Sequence, residues 1–135
     1  MKEDIAMSVN ELRALTQQFA DAFDQRDLKT AIDMLSEDVE VIEYVPYRFD
    51  GKEAFVKYLN EALGGLVSAS FGFRQPSYRV YGDTVGIVNA DGAFSGVTKD
   101  GKVLTINDRS TLVFIKQGGK WRLVSAHFSA LPKAL

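Results

Sequence analysis

Three glycine-bearing dipeptides limit the fold of this chain more than any other feature: Gly82-Asp83, Asp100-Gly101 and Gly118-Gly119. Each can supply the positive φ that a tight hairpin demands, and each separates stretches in which apolar and polar side chains alternate. From Leu66 onward the period is two, which predicts four long strands joined by hairpins into an antiparallel meander. Such runs exceed the usual strand of about five or six residues, so strong bending is expected. Pro76, Gly92 and Gly96 are the candidate bulge or bend points.

The first half carries a different period. Val9, Leu12, Leu15, Phe19 and Phe23 recur at helical spacing behind Ser8-Val9-Asn10-Glu11, which fits a capping box. Asp27 predicts the cap of a second short helix carrying Leu28, Ala31, Ile32 and Leu35, and Glu37-Asp38 reads as a solvated turn. A β-branched strand follows over Val39–Tyr44, then a loop over Val45–Phe49. Asp50 with Glu53 offers a cap for a third helix bearing Ala54, Phe55, Tyr58, Leu59 and Leu63, which Gly64-Gly65 can end. Helices first and sheet second define the α+β class, expected as one domain over residues 1–135.

Composition removes whole classes of function. With 135 residues, 46% of them hydrophobic, and a formal charge of −2, the chain is neither disordered nor a basic nucleic-acid binder. It has no cysteine, so disulfides, thiolate metal sites and thiol nucleophiles are excluded. A single histidine excludes a multi-histidine metal site within one chain. The segment MKEDIAMSVNEL lacks the apolar core of a secretory signal, and the weakly apolar stretch Leu63–Phe73 is short and broken by glycine. A soluble, cytoplasmic protein with no membrane or nucleic-acid partner is expected. No phosphate-binding loop or other motif singles out a cofactor, and none is expected.

Counting outward from two-residue turns predicts the register. It puts Tyr78, Ile87, Phe114 and Leu123 in one row, with Arg74, Asp91, Ser110 and His127 beyond them on the same face. The opposite face then holds Val88, Val113 and Val124, followed by Thr111, and by Arg109 beside Phe128 and Gly92. Both faces read as largely apolar. Three helices can cover only one, so a homodimer through the other is expected.

The residues Arg109-Ser110-Thr111-Leu112-Val113-Phe114, Gly119-Lys120-Trp121-Arg122-Leu123-Val124 and His127-Phe128-Ser129 resemble the C-terminal signature of the nuclear transport factor 2-like superfamily. The resemblance is to its SnoaL-like proteins and to the association domain of calcium/calmodulin-dependent kinase II. Asp27-Leu28 and Asp50-Gly51-Lys52-Glu53-Ala54 extend it through the helical half. It implies a cystatin-like α+β cone: a curved sheet wrapped around a helix, enclosing a pocket and dimerising through the sheet. The superfamily hosts isomerases, cyclases, dehydratases, hydrolases and non-catalytic assembly domains, so function rests on the site.

Glu43 is the first candidate for chemistry. A carboxylate among Val39, Val41, Ile42 and Val45 is a potential general base, or else a strand-edge group facing water or paired with Arg48. The resemblance to ketosteroid isomerases puts their proton-shuttling aspartate on Glu43. Their oxyanion tyrosine falls on Phe19, which has no hydroxyl, and their partner acid falls at or near Thr111. His127 lies at the superfamily's histidine position. It is either an acid–base group oriented by Asp91 or Asp108, or a structural group satisfying Ser110 or a carboxylate at a dimer interface. Arg109 either pairs internally with Asp91, Asp108 or Glu43, or holds a ligand carboxylate. The two pocket arginines of the kinase association domain fall on Leu112 and Phe128 here. The resemblance puts the loop residues Tyr44, Tyr47 and Arg48 near the pocket mouth, where they would position a flat ligand; the alternative is surface-loop packing. Phe71, Phe73, Phe94 and Phe114 read as cone lining or core. The reading is a pocket for a small apolar or anionic ligand, acted on by an isomerase or lyase with Glu43 as base. The alternative is a non-catalytic association module.

Overall fold

The computed structural model describes residues 2–43 and 47–132. Helix α1 covers Lys2–Asp24, beginning well before the start at Val9 that a Ser8 capping box implies. Nothing in Lys-Glu-Asp-Ile-Ala-Met breaks a helix, so the helix continues through this stretch and Ser8 becomes a buried helical position. Glu11 fastens α1 to the sheet. It accepts hydrogen bonds from Trp121 Nε1 at 3.0 Å and Lys116 Nζ at 3.2 Å, and these donors hold its carboxyl below the usual range. Helix α2, Leu28–Asp33, is capped as expected: Asp27 accepts from the Thr30 amide at 3.3 Å.

Leu35 does not belong to α2. It opens strand β1, Leu35–Ile42, in which Glu37 and Asp38 are exposed strand residues rather than a turn. The cause is tertiary: β1 pairs in parallel with the last strand, Leu35 opposite Leu123 and Ile42 opposite His127, with a bulge between Leu35 and Glu40. Inside the expected loop a short strand β2, Arg48–Asp50, folds back on β1. Helix α3, Lys52–Gly64, starts from Gly51 at φ 96°, and no side chain caps it. Asp50, the expected cap, binds Arg48 at 3.1 Å instead. Gly65 ends the helix, as the glycine pair predicts.

The meander forms as read: β3 (Leu66–Tyr81), β4 (Val85–Thr98), β5 (Val103–Gln117) and β6 (Lys120–Ala130). They complete a curved, mixed six-stranded sheet of order β2-β1-β6-β5-β4-β3. A bulge between Arg74 and Ser77 contains Pro76. Gly92 and Gly96 instead lie in unbroken register, where they make room for Asp108 and Leu66.

Beside the first two hairpin turns the register differs from the two-residue count by one position, until the Arg74–Ser77 bulge restores it between β3 and β4, where Arg74 faces Asp91 as counted. The β3–β4 connection uses Gly82, Asp83 and Thr84, so Tyr78 faces Val88 rather than Ile87. The β4–β5 connection likewise spends three residues, which pairs Ile87 with Val113. Only β5–β6 keeps a two-residue turn, Gly118-Gly119, both at positive φ, and a bulge at Val113/Phe114 then shifts it. Because strand side chains alternate, each single-residue shift exchanges faces. The inner face therefore carries Val88, Asp108, Ser110, Leu112, Phe114, Leu123, Ala126 and Phe128, all buried. It packs on Leu12 and Phe19 of α1, Ala31 of α2, and Phe55 and Leu59 of α3. The outer face is not broadly apolar. Beyond half-buried Ile87 and Val113 it shows exposed Asn89, Asp91, Arg109, Thr111, His127 and Ser129.

Candidate functional site

A cavity of about 260 Å³ opens between α1, α3 and the inner sheet face. Helix α1 contributes Phe19 and Phe23, one turn apart; α3 contributes Phe55, Tyr58, Leu59, Ala62 and Leu63 at i, i+3, i+4, i+7 and i+8. The sheet closes it with Leu66, Phe71, Phe94, Leu104, Ile106 and Phe128. The rings support one another: Phe71 meets Phe128 edge-on at 5.9 Å, and Phe55 stacks near Tyr58 at 6.2 Å.

Two polar side chains interrupt this wall, Glu43 and Tyr58. Glu43 follows β1, and its amide donates to the Tyr47 carbonyl at 3.1 Å across the β1–β2 connection. Burial pushes the Tyr58 phenol up to about 12, with the negative fields of Glu43 and Tyr47 adding to it. Tyr58 therefore keeps its proton at neutral pH and can donate a hydrogen bond. Glu43 is the only charged residue of the lining, so among the described residues no basic side chain awaits an anion there. Nor does any group of three or more His, Asp or Glu form a metal cage among them.

Residues 12–133 match the SnoaL-like domain. The chain belongs to that family. Its fold is that of the nuclear transport factor 2-like superfamily. A protein of that superfamily from Salmonella enterica superposes with a TM-score of 0.84 at 19% identity, covering 96% of this chain and 95% of the other. A protein assigned as a calcium/calmodulin-dependent protein kinase II association domain, from Xanthomonas campestris, gives 0.81 at 22% identity, covering 92% and 88%. A protein assigned as a scytalone dehydratase, from Novosphingobium aromaticivorans, gives 0.89 at 12% identity, covering 98% and 89%. No curated protein matches the chain in a sequence search.

The sheet of this SnoaL-like domain sorts the expected site residues onto two sides. Glu43 lines the cavity, whereas His127, Arg109 and Asp91 lie on the exposed outer face. There His127 Nε2 is 3.0 Å from Ser129 Oγ, and Arg109 reaches Asp91 at 3.9 Å. His127 thus faces neither Ser110 nor Asp108, because the bulge at Val113/Phe114 places it opposite Thr111. Asp108 is fully buried on the inner face. It accepts from Ser110 Oγ at 3.1 Å, while its second carboxylate oxygen has no partner. Burial raises its pKa, against the pull of Ser110 and Arg74. Tyr47 is exposed against Phe49 at 6.3 Å, in a shallow groove beside α3 rather than in the cavity. Tyr44 lies outside the described residues. Phe71 and Phe94 line the cavity as expected, while Phe114 is fully buried core and Phe73 packs against that core. Sequence reasoning missed Tyr58 as a polar group of the site. Its signal was a hydroxyl among the apolar positions of α3.

Proposed function

We propose that this SnoaL-like domain binds a small, largely apolar molecule in the aromatic cavity, with Glu43 and Tyr58 as its polar anchors. The observation that carries this reading is a wall of rings and aliphatic groups holding a single charge. Water in such a space finds few partners, and its displacement by an apolar ligand is favourable. Ala62, at the cavity wall on α3, gives the test. Prodan, a neutral bicyclic dye, binds the wild-type protein, and Ala62→Trp weakens that binding at least tenfold with unchanged circular dichroism. No binding by the wild type, or equal binding by the variant, refutes the reading.

The pairing of Glu43 with a neutral phenol favours a second, catalytic reading as an isomerase or lyase. Glu43 would take a proton from carbon next to a carbonyl, and Tyr58 would donate to the oxygen as negative charge develops there. Glu43→Gln then lowers turnover at least about 100-fold. Unchanged turnover removes Glu43 as the base.

The non-catalytic alternative draws support from the outer face. Asn89 and Thr111 share a hydrogen bond of 2.7 Å and His127 and Ser129 one of 3.0 Å, while Arg109 and Asp91 form a looser ion pair at 3.9 Å. A second copy can cover the two hydrogen-bonded pairs without stranding them, and its own polar groups would complete Arg109. We therefore place a homodimer there, in a cytoplasmic protein. Light scattering giving the monomer mass at micromolar concentration overturns it.

A further inference from the structure

We infer that the ligand of this domain has two parts: a flat apolar body held in the cavity, and a neutral sugar ring held in the groove beyond Tyr58 and Ala62. This rests on the cavity being a ligand site, as proposed above, and names what else its ligand carries. The groove stripe of α3 is Ala54, Lys57, Tyr58, Glu61 and Ala62, the cavity stripe moved back by one residue. One residue turns a helical stripe by about 100°, so the two spaces lie side by side along the same helix. Tyr58 and Ala62 belong to both stripes and form the ridge between them. Ala62 ends in a methyl group, which keeps that ridge low.

One run of rings crosses the ridge. Phe55 of the cavity stacks near Tyr58, the Tyr58 ring lies 4.5 Å from Phe49, and Phe49 leads on to Tyr47. Tyr47 ends the run 58% exposed, so a ligand that covers it removes apolar surface from water. The flank of the groove sets what that ligand group is. Lys57 and Glu61, one turn apart, supply one cation and one carboxylate. A net charge would be drawn to one and repelled by the other. Hydroxyls donate to the carboxylate and accept from the ammonium, so a neutral polyol suits both. A second aromatic ring would cover Tyr47 but leave its own outer face in water, because the groove is shallow. A sugar ring turns C–H groups to Tyr47 and hydroxyls to Lys57, Glu61 and solvent. Size agrees: pockets for drug-sized ligands run from about 300 to 1,000 Å³, and this cavity holds about 260 Å³, so such a ligand extends past the ridge.

Two neutral coumarins test the inference. 4-Methylumbelliferyl β-D-glucoside and 7-methoxy-4-methylcoumarin share one flat body and differ in carrying a sugar or a methyl group on the same oxygen. Titration is expected to show the glucoside bound about tenfold tighter. The double variant Tyr47→Ala/Lys57→Ala is expected to bring the glucoside to the level of the methyl ether, with methyl ether and Prodan binding unchanged. Equal affinity for the two coumarins in the wild type overturns the sugar inference and leaves the pocket reading standing. A glucoside preference that survives in the double variant also overturns it, because the sugar then lies elsewhere. So does weaker binding of the methyl ether in that variant, since the groove is then not separate from the cavity. Prodan binding without either coumarin overturns the sugar inference alone, and failure of all three overturns both.

Discussion

The two faces of the sheet are built from alternate residues of the same strands, yet they obey different chemistry. Along β5, Ile106, Asp108, Ser110, Leu112 and Phe114 turn inward, while Asn107, Arg109 and Thr111 turn outward. Inside, apolar packing is close and a polar group is expensive: Asp108 has one unpartnered oxygen and no solvent exposure. Outside, Arg109 and Asp91 pair at 3.9 Å with side chains 75% and 50% exposed, so water screens them. The same residue types thus carry different energetic weight one position apart.

The largest effect that would separate the faces is expected at Gly92. A Cβ there would lie 2.5 Å from Asp108 Oδ1, so Gly92→Ala is expected to cost about 2–3 kcal/mol in a denaturant melt. Pairing it with Asp108→Ala should recover much of that loss. Full additivity would show that Asp108 is not what fills the space.

Next comes pH. Burial raises the Asp108 pKa, so the folded state keeps this proton when the unfolded state has released it. The stabilisation is complete below the unfolded value of about 3.9 and is lost as pH rises through the folded one. Asp108→Asn is therefore expected to remove a decline in stability that the wild type shows as pH climbs out of the carboxylate range. An identical pH profile for the two proteins would show that the inner face tolerates the charge. The smallest effect is expected outside. Arg109→Ala should cost about 0.5 kcal/mol or less and leave Prodan binding unchanged. A larger loss in dilute monomer would show that the outer face is not governed by solvent.

The sequence made the division into helices and meander plain because glycine dipeptides and a change of period are local signals. Asp27 and Gly65 were legible for the same reason. Faces were not, since a hairpin of three residues instead of two leaves almost no local trace. Thr84 is an ordinary strand residue by type, yet its place in the turn moved the β3 partners of Val85 to Asn89, until the bulge between Arg74 and Ser77 restored the counted register. The Ser8 box failed because a cap competes with helix-forming residues upstream, and Leu35 failed because its partner Leu123 is remote in sequence. The site was half visible. Glu43 stood out as a charge in an apolar strand, but the cavity depends on how α1 and α3 lean over the sheet, which periodicity does not encode.

The parallel pairing of β1 with β6 also sets an order of assembly during synthesis. Leu35 leaves the ribosome 88 residues before Leu123, its partner. At about 5–20 residues per second, this interval is roughly 5–20 s. Through that time β1 has one flank to be filled by β6, and the short hairpin with β2 is its only strand pairing. The exposed, charged Glu37, Asp38 and Glu40 alternate or cluster along that waiting strand. Like charge on an unfilled edge disfavours pairing with a second chain, so Glu37 and Asp38, which read as a turn from sequence, and Glu40 give the waiting strand the composition that opposes such pairing.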